Sequence, residues 1–123
     1  MAKECGCGKA PILIFPCSGA ADVGEITDKA ARELSREDIG DMACLAGIGG
    51  GISGMIESAK AASKILVIDG CPQDCAKKTF LKAGIKEIRF VRVTDLGFLK
   101  GKSPVNPERV VTVMNKAKEA LAC

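Results

Sequence analysis

The sequence contains no His, no Trp and no Tyr, and four Phe are its entire aromatic complement. Without imidazole, a Ser or Cys nucleophile lacks its commonest base and a mixed nitrogen and sulfur metal site cannot be built. The chemistry is left to thiols. So few aromatics offer no platform on which bases could stack, and the 18 Lys and Arg against 15 Asp and Glu, a net charge of +3, are scattered and form no polyanion-binding stripe. Nucleic acid is not an expected partner. No apolar run, Ile65 to Ile68 included, approaches the roughly 20 residues of a membrane span, and Met1 to Glu4 lead into Cys and Gly, not into an apolar signal core. A cytoplasmic protein that makes no use of the membrane is expected.

What remains is a 123-residue chain, 47% hydrophobic, which suffices for one core and excludes disorder. Residues 1 to 10, polar and rich in Cys and Gly, read as a mobile arm carrying Cys5 and Cys7, and residues 11 to 123 as a single α/β domain. Seven Cys is an odd number. With no export signal, a reducing compartment disfavours a disulfide framework and points to metal binding or redox chemistry, with core filling as the bland alternative.

Ile12 to Phe15 is a short apolar run between two prolines and suits a strand buried on both faces. Asp22 and Glu25 open a helix over about 23 to 35, with Val23, Ile26, Ala30 and Leu34 along one side. Met42 to Ala46 reads as a short second strand. Gly47 to Gly51 break the chain, and Ile52 to Ser63 restores a helical stripe. Lys64 to Asp69 is the clearest strand. Pro72 at the first helical position and Asp74 at the third predict a helix over about 72 to 83, ended by Gly84 and Ile85. Ile88 to Val93 is a partly exposed edge strand, and Asn106 and Pro107 start the last helix. The alternation predicts a three-layer Rossmann-like α/β domain with a largely parallel four-stranded sheet, and right-handed crossovers favour the order 2-1-3-4.

That order puts the first and third strands side by side and opens a crevice between their carboxyl ends, where Cys17 and Cys71 stand. Strands lie roughly 4.8 Å apart, so both thiols can approach one ion. Cys75, four residues after Cys71, can point to the same side, and Cys44, in or just beyond the second strand, can complete four sulfurs. Zinc suits four thiolates, and the first-turn amides of a helix after Cys71 could donate to the sulfurs. The same thiols are also compatible with a thiol-disulfide or sulfur-transfer role, in which Cys71 attacks and Cys75 or Cys17 resolves, or with an iron–sulfur cluster.

The string Asp69-Gly70-Cys71-Pro72, then Asp74 and Cys75, directly after the strand Ile65 to Ile68, resembles the DGC domain family, small bacterial and archaeal proteins described as zinc-binding. The likeness runs from about Ile12 to Leu121 and takes in Pro16-Cys17-Ser18-Gly19-Ala20 and Cys44-Leu45-Ala46-Gly47. It implies zinc on Cys17, Cys44, Cys71 and Cys75 and names no reaction; storage, sensing or delivery of the ion is the use that four convergent thiols without His suggest. Cys5 and Cys7 lie outside it, so either Cys44 or the arm closes the site. Other motifs fall away. A phosphatase loop is excluded because position 23 is Val, and the Gly47 to Gly51 cluster lacks a P-loop ending. Cys123 reads as an incidental exposed thiol.

Overall fold

A computed structural model of the chain describes residues 10–122. The expected arm with Cys5 and Cys7, apart from Ala10, and the terminal Cys123 lie outside the described residues. Strand β1 (Ile12–Pro16) is the hub of the sheet, pairing in parallel with β2 (Asp41–Met42) on one side and β3 (Lys64–Asp69) on the other. β3 carries the edge strand β4 (Arg89–Arg92), in a register that sets Asp69 opposite Arg92. The order β2-β1-β3-β4, all parallel, is the one that the crossover rules select.

Helices cover both faces. α1 (Asp22–Arg36) and α5 (Pro107–Leu121) pack Ile26, Leu34, Val113 and Leu121 on Ile12, Ile14, Leu66 and Ile68. α2 (Leu45–Gly49), α3 (Ser53–Ala61) and α4 (Cys75–Lys82) pack Ile48, Ala59 and Phe80 on Phe15 and Val67, with the Phe15 and Phe80 rings edge-on at 4.8 Å. Alternate residues of β1 and β3 feed the two cores, which is why both strands read as unbroken apolar runs. No helix among the described residues is long and apolar enough to cross a membrane.

Three elements differ from the expectation. The second strand is only two residues long: Ala43 N–H makes a last bond to the Ile14 carbonyl, after which Leu45 and Ile48, three apart, turn helical to reach the core under α4. Cys44 therefore stands at the N-cap position of α2, not in a strand. α3 starts at Ser53 and is shorter than predicted. α4 begins at Cys75, not at Pro72, because the carboxylate of Asp69 accepts the amides of Ala76 and Lys77 at 2.8 and 2.9 Å and Asp74 adopts a left-handed backbone (φ 54°). The stop of α4 is the predicted one. Gly84 is left-handed (φ 81°), its amide reaches Leu81, and that of Ile85 reaches Phe80, the two bonds of a Schellman motif.

Candidate functional site

β1 ends on a tied-down turn. The Cys17 amide donates to the Ile68 carbonyl at 2.9 Å, extending the β1–β3 ladder by one bond. Ser18 is left-handed (φ 51°), which costs a non-glycine residue about 1–2 kcal/mol. Two bonds to α1 hold it there: its amide donates to Thr27 Oγ1 at 3.0 Å and its hydroxyl to Asp28 at 2.8 Å. Thr27 is fully buried and spends its one hydroxyl proton on the Gly24 carbonyl at 2.6 Å. Cys17 Sγ lies 3.6 Å from Thr27 Oγ1, whose proton is already committed, so the thiol is the donor of that contact.

β3 ends against α1 with no room to spare. A Cβ on Gly70 would stand 2.9 Å from the Val23 carbonyl carbon and 3.0 Å from the Gly24 nitrogen, and one on Gly24 would stand 2.6 Å from the Gly19 oxygen. This backbone packing brings the two strand ends and the start of α1 around one cleft of about 310 Å³. Cys17, Cys71 and Cys75 all border it, together with Gln73 and Lys100. Cys71 is half-buried and Cys75 exposed. Lys100 Nζ donates to Cys71 Sγ at 3.7 Å from a loop held down by Asp22, whose carboxylate accepts the amides of Gly101 and Ser103. Those bonds lower the Asp22 pKa.

Cys44 borders a second, more open cleft of about 930 Å³ along β1 and β2, shared with Cys17, Asp28 and Arg32. Cys17 thus stands on the wall between the clefts, with Cys44 on one side and the Cys71–Cys75 loop on the other. Among the described residues, no group of three or more Cys, Asp or Glu side chains is placed to hold a metal ion. In kind, the donors fit zinc: three thiols from two strand ends and a helix start border one cleft, with no imidazole competing. In placement, the sulfurs have to draw closer together before three of them could share an ion.

The carboxylates beside the thiols have other partners. Asp69, 1% exposed, caps α4, and its burial raises its pKa against the pull of the two amides. Asp74 is held by Arg92, whose hydrogen bonds lower its pKa. Lys100, Thr27 and Arg92 escaped the sequence reading, since Thr27 and Lys100 reach the thiols, and Arg92 the loop between two of them, only through tertiary packing. The left-handed Asp74, three residues after Cys71, had no local signal either.

The model described as DGC domain matches residues 13–117. The chain belongs to the DGC domain family. It is also 35% identical over 65 residues to the "Anaerobic and virulence modulator AnvM" of Pseudomonas aeruginosa, a match covering 53% of this chain and 50% of that one. The chain thus spans about half the length of this curated relative. No solved structure matches.

Proposed function

We propose that this DGC domain protein binds zinc through thiolates at the carboxyl edge of its sheet, in storage, sensing or delivery of the ion. Cys17, Cys71 and Cys75 would hold it from their shared cleft, with Cys44 as the fourth ligand from across the β1 end. The observation that carries the reading is the convergence on one cleft of three cysteines from two strand ends and a helix start. Bound zinc would supply a tetrahedral, redox-inert template for four sulfurs. The chain's own part is to release them. Cys17 gives up the proton it shares with Thr27, and Lys100 withdraws from Cys71, so uptake liberates protons. The name of the P. aeruginosa relative, a modulator, supports a regulatory use of the ion over bulk storage.

Elemental analysis of protein purified under non-oxidising conditions is expected to give about one zinc per chain, and less in Cys71→Ser. Metal-free protein that takes up no zinc when titrated would overturn the reading. The contact between Lys100 and Cys71 favours a second one, in which Cys71 attacks a disulfide and Cys75 resolves the mixed disulfide. A reversible Cys71–Cys75 disulfide in protein that ignores zinc would select it, and a brown preparation would replace zinc by an iron–sulfur cluster.

A further inference from the structure

The loop from Cys71 to Cys75 is held from outside the crevice by the edge strand. Arg92 leaves the last position of β4, directly opposite Asp69 in the ladder, and donates to both carboxylate oxygens of Asp74, from Nε at 2.8 Å and from Nη2 at 2.6 Å. Its remaining nitrogen bonds Asp95, and the guanidinium lies 5.2 Å from the Phe90 ring. The pair is largely shielded, with side chains 23% and 15% exposed, which sets it apart from the solvated ion pairs on the helices. Two residues on, the Thr94 amide bonds the Gly70 carbonyl at 3.2 Å. β4 and the turn after it therefore grip the residue before Cys71 and the residue before Cys75. From inside, Asp69 fixes the amides of Ala76 and Lys77.

We propose that Arg92 is the positioning residue of the Cys71–Cys75 pair: by holding Asp74 in its left-handed backbone it sets where the first turn of α4 begins, and with it the separation of the two sulfurs. A left-handed Asp is disfavoured on its own, so without the guanidinium the loop relaxes and α4 frays from the end that carries Cys75. The fork is essential, because a lysine can neutralise Asp74 but cannot bond both oxygens in one plane. Arg92 touches neither sulfur and acts wholly through Asp74. Where metal is concerned, the inference rests on the proposed role of Cys71 and Cys75 as ligands.

The test compares the wild type, Arg92→Gln, Arg92→Lys and the double variant Arg92→Gln/Asp74→Gly, with two probes on the full chain. Cobalt(II) titration, followed by the sulfur-to-cobalt charge-transfer band, reads metal binding. A monosubstituted arsenical, which needs two sulfurs at once, reads the pair without metal, and iodoacetamide reads each thiol singly. Arg92→Gln is expected to lose about 10- to 100-fold in affinity for both two-sulfur probes, the usual cost of removing an outer support, with iodoacetamide rates unchanged. Arg92→Lys should recover little. The double variant should recover part of the loss, because glycine adopts the left-handed backbone unaided. Affinities for both probes within twofold of the wild type in Arg92→Gln would overturn the proposal. So would a loss that glycine does not repair and that tracks a fall in urea midpoint. Should the wild type itself ignore cobalt, the metal reading fails and the arsenical alone judges Arg92.

Discussion

Gly70→Ala puts one methyl group where the structure has no space, and Gly54→Ala puts the same group where space is open. At Gly70 the new carbon would meet three backbone atoms of Val23 and Gly24 at 2.9–3.0 Å. Unstrained carbon contacts lie near 3.5–4.0 Å, so the first turn of α1 would have to withdraw by about 0.5 Å or more. Overpacking costs about 1–3 kcal/mol, and the upper end applies because no side chain can rotate out of the way. For a chain of this size about 3 kcal/mol corresponds to a fall in Tm of about 12 °C. Gly54 lies in α3 with nothing within 4 Å of the added carbon, so alanine there should stabilise by about 0.5–1 kcal/mol through helix propensity. Urea unfolding of metal-free protein in the presence of chelator measures both and keeps ligand effects out. Equal stability of Gly70→Ala and wild type, within about 0.5 kcal/mol, would refute the claim that backbone packing closes the crevice.

Asn106→Ala removes the side chain that accepts the Arg109 amide at 2.8 Å and should cost about 1 kcal/mol in the same assay. On acidification, Asp74 and Asp28 have depressed pKa values in the folded state, so the stability they lend is present above the ordinary 3.8 and lost as pH falls through the depressed range. Asp69 runs the other way: its raised pKa makes its contribution complete below 3.8 and lost as pH rises through the raised value, so Asp69→Asn should remove a downward slope from the stability curve on that side.

The sheet could be read from the sequence because β1 and β3 are buried on both faces and run apolar from Ile12 to Phe15 and from Ile65 to Ile68, a signal that needs no partner to interpret. Strand order followed from crossover handedness, and the placing of Cys17 and Cys71 followed from strand order. The start of α4 could not be read that way. Pro72 and Asp74 satisfy the local rules for a first helical turn, yet the helix waits for Cys75 because the buried carboxylate of Asp69 takes the amides of Ala76 and Lys77 and Arg92 takes Asp74. The second contact depends on the register of β4, which no local pattern encodes. Likewise Leu45 and Ile48 look like strand or helix equally well until the core beneath α4 decides between them.

Cys17 and Cys71 pack against different cores, Cys17 on the side of α2 to α4 and Cys71 on the side of α1 and α5, yet both border the crevice between β1 and β3. That is possible only at a strand end. Within a strand, alternating side chains are committed to one face, whereas past the last ladder bond the chain is free to turn its side chain along the sheet edge. A ligand gripped by both sulfurs would tie the two layers of helices to each other across the sheet, and its binding energy would appear in the stability of the whole domain and not of one layer. Cys71 and Cys75 alone, one beside the α1 and α5 core and the other at the start of α4, would tie β3 only to the helix that follows it four residues on. The residue that makes the site more than a local loop is therefore Cys17, and its bond to Thr27 keeps its sulfur beside α1, at the border of both clefts, until something draws it away.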